Sequence, residues 1–188
     1  MGVKIYVVDN GGQWTHREWR VLRELGVETK IIENTTPLET IDADALVLSG
    51  GALCVATEYQ KLGRIGEYID SGLPILAICV SHQYLAFHFG GRAGPAKVPE
   101  YGKTEIIIEN QNDIFKGLPD RIVVWESHND EIIELPQCFI VLAHSKNCKY
   151  QAIKHERRPI YGLQFHPEVE HTQYGREIFK NFIELVSR

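Results

Sequence analysis

Residues 74–91 run Pro74-Ile75-Leu76-Ala77-Ile78-Cys79-Val80-Ser81-His82-Gln83-Tyr84-Leu85-Ala86-Phe87-His88-Phe89-Gly90-Gly91. The run 75–78 is apolar without alternation, the pattern of a short strand covered on both faces in a parallel sheet. Cys79 follows at once, and residues 81–89 read as a helix stopped by the two glycines. A cysteine between a strand and a helix occupies the turn known as a nucleophile elbow. Such a turn crowds the residues two before and two after the nucleophile, and these are the small Ala77 and Ser81. The elbow also aims the first amides of the helix at the thiol, where the positive end of the helix dipole favours thiolate. The Val80 amide is then a candidate oxyanion donor, and Gly51, in a neighbouring loop, a candidate for the second.

Outward from this stretch the pattern repeats. Residues 3–8 form a β-branched run closed by Asp9-Asn10-Gly11-Gly12, and a helix over 13–25 ends at Gly26. A second strand is expected over 27–32, then a turn in which Thr36 can cap a short helix. A third strand over 45–48 ends in Ser49-Gly50-Gly51, and a helix is expected over 58–69. Strands alternating with helices indicate an α/β fold with a mostly parallel, doubly covered central sheet. After Gly91 the pattern changes to successive strands over 104–109, 122–125, 131–134, 139–143, 150–154 and 160–165. Several of these should pair antiparallel, and a final helix spans 173–186. Without repeat or linker, residues 1–188 read as one domain.

Composition narrows the function classes. A chain of 188 residues, 44% apolar, can build a core without disulfides or metals. A net charge of -5 argues against a general nucleic-acid binder and against a basic membrane-surface protein. Arg17, Arg20 and Arg23 read as a solvated helix face. No apolar run approaches the roughly 18 residues a bilayer-spanning helix needs, and the first residues read as a strand rather than a signal peptide. The expectation is a cytoplasmic protein. The four cysteines, Cys54, Cys79, Cys138 and Cys148, form no CxxC pair and no zinc-site spacing, so no metal is expected. By position alone Cys79 could equally be a buried, inert thiol. The other three lack an elbow.

A thiol nucleophile needs a base and an acceptor that orients the base. Among the eight histidines, His166 stands out, in Gln164-Phe165-His166-Pro167-Glu168 at a strand end. In extended chain His166 and Glu168 face the same side, so the carboxylate can hold the imidazole in one tautomer. His82 is the rival, three residues along the helix, but helix geometry aims it away from the thiol.

Taken together, Ser49-Gly50-Gly51, Ile78-Cys79-Val80-Ser81-His82-Gln83 and Phe165-His166-Pro167-Glu168 resemble the three signatures of the class I, or triad, glutamine amidotransferases, whose fold is flavodoxin-like. Asp9-Asn10-Gly11-Gly12-Gln13, Pro99-Glu100-Tyr101-Gly102, Trp125-Glu126-Ser127-His128-Asn129-Asp130 and His166 to Thr172 resemble the GMP-synthase branch, in the archaeal form whose glutaminase is a separate subunit. The resemblance covers essentially the whole chain. It implies that Cys79 attacks the glutamine side-chain carbonyl, that His166 is base and then acid, and that Glu168 orients it. It implies an oxyanion hole from Gly51 and Val80, and a glutamine site from Gln83 and the loop at Ser127, His128 and Asn129. It also implies a partner, a separate ATP-pyrophosphatase synthetase subunit that carries ATP and magnesium and aminates xanthosine monophosphate. No cofactor is expected in this chain, which lacks both a Walker loop and the Ser-Gly-Gly-x-Asp-Ser loop of the synthetase.

Three positions depart from the family pattern: Ala77 and Ser81 stand where glycine is usual, and Ala52 where proline is usual. They bear on rate more than on identity. Two other readings stay open, a stand-alone cysteine γ-glutamyl hydrolase and a catalytically weakened subunit that binds a synthetase.

Overall fold

The computed structural model describes residues 2–188. Its nine strands form one sheet in the order β2-β1-β3-β4-β9-β8-β7-β5-β6. The first five are parallel: β1 (Ile5–Asp9), β2 (Ile31–Glu33), β3 (Ala45–Leu48), β4 (Ile75–Ile78) and β9 (Ile160–Leu163). The other four are joined antiparallel: β5 (Arg92–Ile108), β6 (Arg121–Glu134), β7 (Phe139–Ser145) and β8 (Ala152–His155). Helix α1 (Thr15–Glu24) and α5 (Gly175–Val186) cover one face. The other carries the short α2 (Val55–Glu58), α3 (Ile65–Asp70) and α4 (Val80–His88).

Strand β4 explains the two layers. Leu76 and Ile78 join Leu22 of α1 and Phe179 of α5 in one apolar cluster. Ile75 and Ala77 join Tyr68 of α3 and Leu85 of α4 in the other. Neither face of this strand meets water, which is why its sequence shows no alternation. The parallel strands all end at one edge of the sheet. Asn10, the Ser49-Gly50-Gly51 loop, Cys79 and the segment after β9 are therefore brought together, as expected at the carboxyl ends of such strands.

The fold matches the α/β expectation, and several boundaries differ. Strand β5 is far longer than 104–109. Gly94, Pro95, Pro99 and Gly102 read as breakers, yet residues 92–103 pair only with β6, while β7 joins at Ile106–Ile108. With one side of the strand unpaired, proline forfeits no ladder bond, and register shifts absorb the distortion. The two strands expected over 122–125 and 131–134 are one, β6. The polar run between them continues the strand, and Glu126 and His128 point inward on the same alternation as Ile122 and Val124. The helix expected over 58–69 is broken by Gly63 at φ 60, beside which the Arg64 amide donates to Asn34 O at 2.8 Å. The strand expected over 27–32 shrinks to Ile31–Glu33 with a single bridge at Glu28. Thr36 does not cap a helix: Pro37 precedes a 3-10 turn, and Thr36 O accepts from the Tyr68 hydroxyl at 2.6 Å. Among the described residues no helix is long and apolar enough to cross a membrane.

His82 is part of this core. Its ring is fully buried and its Nε2 lies 2.8 Å from Tyr150 O, so Nε2 carries the proton. Gly162 leaves the room, since a Cβ there would come within 2.5 Å of His82 Nδ1. Burial drives the His82 pKa down to about 3. The unfolded chain therefore binds a proton that the folded chain refuses. Stability is full above pH 6.5 and falls as pH drops toward 3. Replacing His82 with Gln, which retains an N–H donor without titrating, should flatten that acid slope in denaturant melts between pH 7 and 4.

Candidate active site

Cys79 sits in a backbone conformation that L-residues rarely adopt, with φ 52 and ψ -109. Such strain costs about 1–3 kcal/mol and persists only where surrounding bonds over-determine it. Here the Cys79 amide donates to Leu163 O on β9 at 2.8 Å, while Cys79 O accepts from the Gln83 amide at 3.1 Å. Ser81 adds a second restraint. Its hydroxyl donates to Ser49 O at 2.7 Å and accepts from Asn10 Nδ2 at 2.9 Å. The Asn10 amide donates to Ser49 Oγ at 2.9 Å. The ends of β1, β3 and β4 are thus tied by one buried polar knot. Ser81, a departure from the family's glycine, is a working part of that knot.

The imidazole comes from the segment after β9. The His166 amide donates to Trp125 O at 3.0 Å, and Thr172 Oγ1 donates to His166 O at 2.7 Å. His166 Nδ1 lies 2.6 Å from Glu168 Oε1, with both side chains out of solvent. The Trp14 ring of the loop before α1 packs edge-on against the imidazole, its centroid 4.5 Å away. Burial disfavours a cation at His166. The Glu168 carboxylate, and then the nearby Cys79 thiol, outweigh burial and raise the His166 pKa well above its ordinary value. The sulfur, the ring and the carboxylate therefore form a chain in which the imidazolium is the favoured state.

The glycine loop closes around this chain. A Cβ on Gly50 would stand 3.1 Å from His166 Cε1 and 3.3 Å from Cys79 Cβ, so any side chain there would crowd both groups. A Cβ on Gly51 would meet Val80 Cγ1 at 3.3 Å, which places the two candidate oxyanion amides on abutting segments. Cys79, Gly51 and Ser127 border two openings. One is a cavity of about 280 Å³ that also takes in Trp14, Glu18 and His166. The other, about 260 Å³, is bordered by Gln83, Tyr101 and residues 127–130.

The structure places the four expected glutamine-binding residues around that second opening, in different ways. Gln83 Nε2 donates to Asp130 O at 2.8 Å and to Gln164 Oε1 at 3.2 Å, so its amide nitrogen is already spoken for. Ser127 O faces the thiol, with Cys79 Sγ at 3.8 Å. Asn129 Oδ1 accepts from the Tyr101 hydroxyl at 2.6 Å. His128 turns inward: Nδ1 lies 2.8 Å from Asp130 O and Nε2 2.8 Å from Glu100 Oε2. Ser127, His128 and Asn129 belong to strand β6 rather than to a loop. His82 does not reach the thiol.

Sequence reading passed over three neighbours of the site. Gln164 Nε2 lies 3.8 Å from Cys79 Sγ, and it precedes His166 by the two residues that put side chains on one face of an extended segment. Glu126 is buried beneath the site. Burial, then Glu100 and the thiol, push its carboxyl pKa well up. Glu18 lies on α1 and borders the cavity with Cys79 and His166.

Comparison with known proteins gives consistent matches. The family model described as Glutamine amidotransferase class-I matches residues 6–185. A subunit of the glutamine-hydrolyzing GMP synthase of Thermoplasma acidophilum is 59% identical over 183 residues, which span 96% of this chain and 92% of that protein. A crystal structure of a GMP synthase subunit from the same organism superposes with a TM-score of 0.94 at 57% identity, covering 100% of this chain and 95% of that one. A glutamine amidotransferase from Thermotoga maritima shares the fold at 23% identity, with a TM-score of 0.77 over 100% of this chain and 83% of its own.

Two substitutions test the geometry through iodoacetamide alkylation of Cys79. Gly50→Ala should slow alkylation several-fold at neutral pH, since it crowds both groups by less than the ångström whose displacement costs about 100-fold in such sites. Glu168→Gln removes the charge that raises the His166 pKa. Fewer imidazolium cations then stand beside the thiol, and the onset of alkylation should move to higher pH.

Proposed function

The chain belongs to the class-I glutamine amidotransferases, and on that premise we propose that it is the glutaminase subunit of a two-chain GMP synthase. The observation that carries this reading is the set of Cys79 at a left-handed turn, His166 bordering the same cavity across Gly50, and Glu168 at 2.6 Å from the ring. Glutamine enters with its side-chain amide over the sulfur. The thiolate of Cys79 forms a bond to the amide carbon, and the carbonyl oxygen takes up the negative charge within reach of the Gly51 and Val80 amides. Collapse of that intermediate breaks the carbon–nitrogen bond. His166 gives its proton to the leaving nitrogen, and ammonia departs from a γ-glutamyl thioester. Water, deprotonated by His166, then attacks the thioester, and glutamate leaves with the thiol restored.

Glu168 holds the ring in the tautomer whose other nitrogen faces the sulfur, the role of the third member of a triad. Gln83, Ser127 and Asn129 border the side on which the amino-acid end of glutamine would rest. His128 supports that wall from behind through Glu100.

Ammonia is useful only to a second active site. The relatives from Thermoplasma species are each named for one subunit of GMP synthase, which implies another chain in their enzymes. We assign nucleotide chemistry to such a partner here, an ATP-dependent synthetase that holds ATP and magnesium and converts xanthosine monophosphate to GMP. The placement of Ser81 within the knot that holds the elbow supports an active rather than a weakened glutaminase.

Glutamate release from glutamine, measured with and without synthetase and nucleotides, is the direct assay. Wild type should be active and stimulated by the partner. Cys79→Ala should abolish turnover with the fold intact, His166→Ala should be comparably damaging, and His82→Ala should retain much of the rate. Equal turnover in wild type and Cys79→Ala would remove the basis of this assignment.

A further inference from the structure

Helix α1 buries Thr15, Glu18 and Leu22, a stripe at helical spacing that faces the sheet. A carboxylic acid in the centre of such a stripe breaks the binary pattern, and breaks of that kind concentrate at functional sites. Glu18 is 1% exposed and borders the same cavity as Cys79, His166 and Glu168. Its Oε2 is buried and has no hydrogen-bond partner. Glu168 has the same defect: Oε1 holds His166, while its buried Oε2 has no partner. Two carboxyl groups that border one cavity thus each leave one buried oxygen without a partner. A single proton between them would satisfy both, one as donor and the other as acceptor.

We propose that Glu18 is a positioning residue of this site: a proton-bearing carboxyl group whose hydrogen is shared with the free Oε2 of Glu168, so that Glu168 is held from behind while its Oε1 holds His166. The surroundings fit a neutral acid. Burial, then the Glu168 charge, raise the Glu18 pKa well above the carboxylate range, and Asp9 at the end of β1 acts in the same direction. The His166 ring after β9 and the Gly50 backbone after β3 oppose them only in part. Trp14, in the turn just before α1, packs on His166, and Glu18 borders the same cavity from the helix.

The proposal builds on the glutaminase reading, and two variants test it. Glu18→Leu removes the proton donor. Glu18→Gln keeps a donor of nearly the same shape that does not titrate. In glutamine hydrolysis with the synthetase and its nucleotides present, Glu18→Leu should lower kcat by roughly tenfold, about the loss of one hydrogen bond's worth of positioning, with KM nearly unchanged. Glu18→Gln should stay within about threefold of wild type at neutral pH, in keeping with a retained bond. The wild type should also lose activity at high pH as Glu18 gives up its proton, and Glu18→Gln should hold its activity to higher pH. Wild-type kcat in Glu18→Leu, or an unchanged alkaline limb in Glu18→Gln, overturns the proposal. If Glu18→Leu fails to fold, the alkaline limb of Glu18→Gln decides. Alkylation of Cys79 by iodoacetamide over the same pH range needs no glutamine, so a failure of the glutaminase reading, seen as an inactive wild type, is separable from a failure of this one.

Discussion

One residue, Cys79, is held in a left-handed conformation at the end of the parallel strand β4, and the functional end of the molecule is arranged around that constraint. A side chain in this conformation clashes with its own backbone, so the turn relaxes unless something forbids it. What forbids it is the sheet. The Cys79 amide is locked to Leu163 on β9, and the following helix begins at once with Val80. Between those anchors the thiol has little freedom except to project beyond the strand ends, where the glycine loop and the imidazole wait.

The same constraint explains why the site is built from four separated segments. Parallel strands present their carboxyl ends on one edge, so the loops after β1, β3, β4 and β9 converge without any single loop being long. Asn10, Ser49 and Ser81 knit three of them together with bonds of 2.7 to 3.0 Å. The fourth is fixed through β6, which accepts the His166 amide at Trp125. The antiparallel half of the sheet is therefore more than an extension: it supplies the wall on which His166 is hung and the strand that borders the second opening.

Acidic groups under this floor carry a cost that hydrophobic residues would not. Glu126 and Glu18 are both buried, and each is driven toward its neutral form by that burial. Glu100 is satisfied instead, by Ser145, Gln151 and His128. The site thus rests on a layer in which one carboxyl group is fully hydrogen-bonded while others are pushed toward the neutral form. Ionic charge inside a protein is tolerable only when compensated. The difference between these acids is a difference in available donors.

Local pattern was enough to reveal the α/β alternation, the doubly buried strand before Cys79, the elbow and the pairing of His166 with Glu168, because each depends on neighbours in the chain. Small residues at 77 and 81 and a two-residue step from 166 to 168 are readable signals of that kind. The length of β5 and the unity of β6 were not readable. Prolines and a polar run look like interruptions until it is known that one strand side is unpaired and that Glu126 and His128 face inward. Nor did the chain announce that Ser81 would be a hydrogen-bonding partner rather than a crowded substitute for glycine. Only the tertiary structure decided which polar side chains share a buried space. Glu18 is far along the chain from His166 and Glu168, and the electrostatics that bind the three depend on distance in space alone.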